Sequence, residues 1–421
     1  MKETTYLDPN FYVVSDIMNY TIRGEVVLRE AVDGTMLQKA VETAMKRFPY
    51  FCLRIVKQGE ELVAEPNPLP HKVLHTDEKL TLGTEEVNYH IAVVSYFGNS
   101  IYFNFSHSIT DGAGRAPLTK SVLYYYLKEK YPQDDISSEG IYLADSPMFP
   151  DEEGTPMPKE EIMKAEPFWQ RTAGDAFHLA QGGIVKDRGL NEYRFRVNEK
   201  DFMRLNKSND SSPSVLATAM LAKIIWKLHP ENKKDIVTGL GFNMRPGLKN
   251  KHSYLPLVTT LTLTCKDSMK DFDLSKICTC LRGMVILQSQ PENVQYMYKN
   301  MIIGAEAING IPTIEGKQAA CAGALSMENS PTCFVSYVGR DQLAGVSPYV
   351  TAMYTSVDAV TECCIVIEIS SADGYFYFTF EQDFSTDVYY KEFTGMIEEY
   401  GVKVEHIDHG PVKAPAMTLP V

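Results

Sequence analysis

Two alternating apolar runs, each doubling back through a tight turn, constrain this chain most. One is Ile91 to Phe97, the turn Gly98-Asn-Ser100, and Ile101 to Phe105. The other is Cys363 to Ile369, the turn Ala372-Asp-Gly374, and Tyr375 to Phe380. Period-two alternation interrupted by glycine-bearing turns predicts antiparallel hairpins, each with one face against a core. The hairpins stand in opposite halves of 421 residues. Each half therefore needs its own layer of helices to cover a sheet.

Helical patterns accompany both hairpins. Leu37, Val41, Ala44, Met45 and Phe48 share one helical face behind Asp33, a predicted N-cap. Residues 114 to 131 place Leu118, Val122, Leu123, Tyr126 and Leu127 on another. Ser212-Pro213 predicts a helix start, with proline at the first helical position and an end near Leu228. Further helices are expected over 272 to 289, 292 to 308 and 387 to 400. Further strands are expected at Tyr193–Val197, Ile236–Phe242, Leu257–Leu263, Cys333–Val338 and Val350–Val357. This order is α+β in both halves rather than strict βαβ alternation. Residues 132 to 167, rich in proline and acids, are expected to form an exposed connection. The division is then 1–170 and 171–421, with a ligand cleft between the two parts.

His107 ends the Ile101–Ser106 strand and is followed by Asp111-Gly112 and a helix. A histidine at a strand end can face a cleft, and a tight turn behind it can fix its direction. That is the layout of a rigidly held general base. Gly112 is expected to permit a backbone geometry or a close approach that a side chain would block. Nine histidines make the bare spacing an easy accident, so its context carries the weight. His406-Ile-Asp-His409 has no third ligand nearby in sequence and reads as solvated surface.

The formal net charge of −13 disfavours a general nucleic-acid or anionic-membrane partner, since phosphates are repelled at long range. No apolar stretch reads as a membrane span or a signal core, which points to a cytoplasmic protein. None of the eight cysteines forms a Cys-x2-Cys pair, and they read as buried free thiols.

Five segments carry a resemblance. They are Phe105-Ser-His107-Ser-Ile-Thr-Asp111-Gly112, Gly241-Phe-Asn243-Met-Arg245-Pro246, Val335-Ser336-Tyr337-Val338-Gly339, the run Tyr377 to Asp387, and Leu37 to Pro49. Together they resemble the acyltransferase superfamily of chloramphenicol acetyltransferase, nonribosomal-peptide condensation domains and alcohol acetyltransferases. The first matches the His-x3-Asp-Gly motif. Ser106 stands where condensation domains usually carry a second histidine, the plant-type Asp-Phe-Gly-Trp-Gly motif is absent, and Tyr337 replaces an asparagine. These departures favour the bacterial alcohol acetyltransferase-like branch.

The resemblance implies two chloramphenicol-acetyltransferase-like α/β sandwich domains with a tunnel and active site at their junction. His107 would be the general base. Asp111 would turn away from it and pair with Arg245, through a bidentate contact, to brace the active-site loop. Ser336 is a candidate oxyanion donor, and Asn243 and Tyr337 are candidate tunnel residues. The implied donor is an acyl-CoA, such as acetyl-CoA, with no metal. The acceptor would be a small-molecule alcohol or amine. An acyl carrier protein as donor, or a non-catalytic binding role, remains open. A duplicated chain supplies both halves of the site, so a monomer is expected.

Overall fold

The computed structural model describes residues 8–13, 20–154, 156–169, 175–186, 190–324, 331–339, 343–357 and 364–412. The first half runs through β1 (Thr21–Leu28), α1 (Gly34–Met45), the hairpin β2 (Leu53–Gln58) and β3 (Glu61–Pro66), and short β4 (Leu74–His75). It continues with the hairpin β5 (Ala92–Phe97) and β6 (Ser100–Ser106), then α2 (Gly112–Lys130). One helical turn, α3 (Lys159–Ile162), precedes β7 (Leu190–Asn198), α4 (Glu199–Ser208), α5 (Pro213–Leu228) and β8 (Ile236–Asn243). Next come α6 (Arg245–Leu248), β9 (Val258–Cys265), α7 (Leu274–Gln288), α8 (Pro291–Asn309) and α9 (Ile314–Ala324). The chain closes with β10 (Cys333–Tyr337), β11 (Val350–Val357), β12 (Ile365–Ala372), β13 (Tyr375–Gln382), α10 (Val388–Glu399) and β14 (Val404–Val412).

Local chemistry accounts for these elements. Asp33 caps α1 by accepting the Met36 N–H at 2.9 Å. Ser212 and Pro213 open α5 as the sequence predicts. The β12–β13 turn places Asp373 at φ 47° and Gly374 at φ 78°, the two left-handed positions of a type I′ turn. Gly98, at φ 57°, turns β5 into β6. Cys363 lies outside the described residues. The seven other cysteines are free thiols.

Two main sheets follow. The first has the order β11-β1-β6-β5-β4, and the second β14-β7-β13-β12-β10-β8-β9. Helices α1 and α2 cover one face of the first sheet, where Leu37, Val41, Leu118 and Val122 pack with Val26 and Phe103. Helix α5 is apolar almost all round because it is buried almost all round, against Phe195, Ile367 and Phe378 of the second sheet. Each sheet is thus a sandwich with its own helices. Among the described residues, no helix is long and apolar enough to cross a membrane.

The opposite faces of the two sheets meet each other, and they are charged. Arg194 of β7 reaches Glu25 of β1 at 2.6 Å and Glu192 at 2.6 Å. Lys79 meets Glu381 at 3.3 Å. Strand β11 crosses from the second half of the chain and pairs antiparallel with β1, from Ile22–Val357 to Leu28–Val350. The N-terminal sheet therefore contains a strand from beyond residue 171.

The connection over 132–167 is not simply exposed. Ile136, Ile141, Glu152 and Ile162 are buried. Arg47, at the end of α1, clamps Glu152 with two hydrogen bonds, Nη1 to Oε2 at 2.9 Å and Nη2 to Oε1 at 2.5 Å. Both side chains are at most 2% exposed. The Tyr254 N–H donates to the Glu152 carbonyl at 2.8 Å, so the connection also ties the second half to the first. Glu152→Gln leaves the Arg47 charge buried without its partner. It is expected to cost about 3–5 kcal/mol in urea unfolding, and adding Arg47→Met should recover much of that loss.

Candidate active site

Strand β6 ends where Ser106 pairs with Thr21 of β1. The chain then leaves the ladder, and the His107 N–H donates to the Tyr20 carbonyl at 2.8 Å. Tyr20 takes a left-handed φ of 46°, and its ring stacks on the imidazole with centroids 5.0 Å apart and planes 17° apart. His107 Nδ1 lies 3.0 Å from the Thr110 carbonyl oxygen. A carbonyl can only accept, so Nδ1 carries the proton and Nε2 keeps a free lone pair. Burial lowers the His107 pKa. The Asp111 charge opposes that shift, and Arg115 adds to it. The ring is neutral at pH 7, with one tautomer fixed.

Among the described residues no hydrogen bond joins His107 to Asp111. Its Oδ1 caps α2 by accepting the Gly114 N–H at 2.8 Å, while Oδ2 accepts from Arg245 Nη1 at 2.9 Å. The expected bidentate contact is corrected to a single one, because the cap occupies the other oxygen. Arg245 spends its remaining donors on carbonyls, Nε to Ser253 at 3.0 Å and Nη2 to Leu255 at 2.6 Å. Asn243 accepts from the Arg245 backbone N–H and from Nη1, each at 3.1 Å. The Asn243 side-chain carbonyl thus braces the arginine. The loop carrying Arg245 is locked to α2, and the start of α2 sets the Thr110 carbonyl that orients His107.

The glycine expectation also changes. A Cβ at Gly112 would meet only Val338 Cγ1, at 3.7 Å, an ordinary contact. A Cβ at Gly114 would lie 2.3 Å from the Tyr254 carbonyl oxygen and 2.5 Å from Thr110 Oγ1. Gly114 is the residue that lets the second half approach α2 closely, and the motif glycine is not.

Strand alternation separates Ser336 from Tyr337. Tyr337 joins Cys333 and Val335 on the core face, with its ring tilted against Phe376 at 6.0 Å. Ser336 leaves the strand on the other face, toward the N-terminal half, beside its register neighbour Glu368 of β12. Val338, two residues on, approaches Gly112 at the head of α2. The ends of β6, α2 and β10 therefore converge.

Sequence reasoning missed Tyr20, Gly114, Arg115 and Glu368. Arg115 lies one helical turn beyond Asp111 and is 6% exposed, with Nε lacking a hydrogen-bond partner. Burial pulls its pKa down to about 10. Its guanidinium lies over Gly24 of β1, where a Cβ would meet Nη1 at 2.1 Å. A lone arginine in an otherwise apolar helix start is a faint signal for this.

No described protein family matches the sequence, and no curated protein matches it significantly. Solved structures do match along nearly the whole chain. Polyketide synthase associated protein 5 from Mycobacterium tuberculosis superposes with a TM-score of 0.63 at 12% identity, covering 94% of this chain and 98% of that one. TRI101 from F. graminearum, complexed with coenzyme A and deoxynivalenol, gives 0.57 at 10% identity over 94% and 98%. The epimerization domain from the third module of tyrocidine synthetase B gives 0.54 at 10% identity over 91% and 92%. The two-sandwich fold of this chain is the fold of these three structures.

The two glycines separate packing from motif. Gly114→Ala is expected to destabilise by about 1–3 kcal/mol, since a backbone carbonyl blocks the methyl. Gly112→Ala should stay within about 1 kcal/mol of the parent, on the stabilising side, because alanine favours the helix. Thermal unfolding of both variants checks this. Asp111→Asn and Arg245→Leu should each destabilise, and the double variant should cost less than their sum. Strict additivity would show that the pair does not couple.

Proposed function

We propose that this chain is an acyltransferase that moves an acyl group from a thioester, an acyl-CoA, to a hydroxyl or amine of a small acceptor. The observation that carries this reading is His107. Its tautomer is fixed by Thr110, its Nε2 is free, and the ends of elements from both halves converge beside it.

The residues divide the work as follows. Nε2 of His107 accepts the acceptor's proton as its oxygen or nitrogen attacks the thioester carbonyl. The C–S bond then breaks, and the imidazolium returns that proton to the leaving sulfur. The thioester is already activated, so no covalent enzyme intermediate is needed. Asp111, Asn243 and Arg245 hold the loop and take no proton. Ser336 is the hydroxyl available to stabilise the oxyanion. Both halves of the site come from one chain, so a monomer suffices. Coenzyme A and a carrier protein present the same phosphopantetheine arm. The coenzyme A complex of TRI101 supports the free cofactor as donor.

His107→Ala is expected to lower turnover by about 10²–10⁴-fold with the fold retained. Thiol release from an acyl-CoA panel against pooled alcohols and amines measures it, and a variant with near-parental activity would sink the assignment. Because burial lowers the His107 pKa, the acid limb of kcat/KM should lie below the ordinary histidine value of about 6.5. Coenzyme A should also raise the melting temperature. No acyl-CoA binding, with transfer from a loaded carrier protein, would move the donor assignment to the carrier.

A further inference from the structure

Among the described residues, Arg23, Arg47, Arg115 and Arg245 are the buried arginines. Three of them are matched. Arg47 clamps Glu152, and Arg245 holds Asp111 and two backbone carbonyls. Arg23 donates to the Asp77 carbonyl at 2.6 Å and lies over the Tyr102 ring. Arg115 is the exception. Among the described residues its guanidinium makes no hydrogen bond and no ion pair. The carboxylate one turn back on its own helix, Asp111, is spent on the Gly114 N–H and on Arg245. Glu368 of β12 accepts from the Thr355 hydroxyl instead.

The unmatched cation stands at a partly enclosed cavity between α2 and the first sheet. Arg115 and Thr119 of α2, Gly24 and Val26 of β1, Met353 of β11 and Leu343 line it, and it has room for about one water-sized group. The guanidinium lies over Gly24, where any side chain would take the space it fills. Thr119 follows Arg115 at the i+4 position, on the same helical face. It too is only 6% exposed, and its hydroxyl has no partner among the described residues. Val26, Leu343 and Met353 make the remaining wall apolar.

Two buried donors thus face a cavity with no acceptor to receive them. With its pKa drawn down to about 10, Arg115 is still a cation at neutral pH. A buried charge left unmatched costs stability, and water in the cavity brings no countercharge. The complementary occupant only accepts hydrogen bonds and carries one negative charge. The narrow apolar wall leaves no room for a tetrahedral phosphate or sulfate. We propose that Arg115 and Thr119 form a binding site for one small monovalent anion, chloride or the tip of a carboxylate. The site does not depend on the acyl-transfer reading given above.

Thermal unfolding of the full chain tests this, with sodium chloride or sodium formate replacing sodium gluconate at constant ionic strength. The parent melting temperature should rise saturably, by about 3 °C at a hundredfold excess over the dissociation constant. Arg115→Met removes the charge while keeping an apolar filling. It should not respond to either anion, and without them it should be at least as stable as the parent. Thr119→Val keeps the shape and loses the hydroxyl, so its half-saturating chloride concentration should rise by about tenfold or more. A 2-hydroxy acid and its methyl ester separate the sources of the anion. Stabilisation by the acid at concentrations where formate has no effect assigns the site to the carboxylate of a larger molecule. Equal responses to acid and formate assign it to a free ion. A parent that responds to none of these anions holds water alone in the cavity, and the proposal falls. It falls equally if Arg115→Met or Thr119→Val follows the parent's response unchanged, since the effect is then one of salt in general.

Discussion

One carboxylate is shared between two halves of the chain, and the geometry around His107 follows from it. Asp111 gives one oxygen to the first turn of its own helix and the other to Arg245 from the opposite half. Nearly buried charges of this kind hold position only when every donor and acceptor is matched. The matching extends outward. Asn243, Ser253 and Leu255 satisfy the arginine. Through the head of α2 the constraint reaches Thr110, and so the tautomer of His107. Asp111 therefore acts on the histidine by placing a carbonyl rather than by touching the ring.

The meeting of the two sheets obeys a different rule from their cores. Behind each sheet lie packed apolar helices. Between them lie Arg23, Glu25, Lys79, Glu192, Arg194 and Glu381, paired with one another or placed over aromatic rings. Burying such charges costs more than burying hydrocarbon, and a close-packed apolar seam would be more stable. The charged seam is what an acyl-transfer site at this junction would need, since it keeps polar groups available where a polar reaction would take place.

Much of this was legible in the sequence where one face of an element is apolar. The two hairpins, the capped starts of α1 and α5, and the strands β8, β10 and β11 follow from alternation and capping alone. Strand β1 did not, because Arg23 and Glu25 look solvated while they face another sheet. The acidic connection read as exposed for the same reason, although Glu152 is among the most buried groups in the protein. At the site, His107 and the Asp111–Arg245 pair were visible through motif resemblance. Gly114, Tyr337 and Glu368 were not. Which glycine is crowded, and which face a strand residue takes, depends on partners distant in sequence.

The pairing of β11 with β1 restricts how anything can reach His107. A strand from the second half lies in the first sheet along seven paired positions, and it continues into the contacts of β12. The halves are stitched rather than hinged. Pulling β11 away with the second half would break the backbone ladder at the edge of the first sheet. The exchange of β11 thus makes the relative placement of the two sheets part of the fold itself.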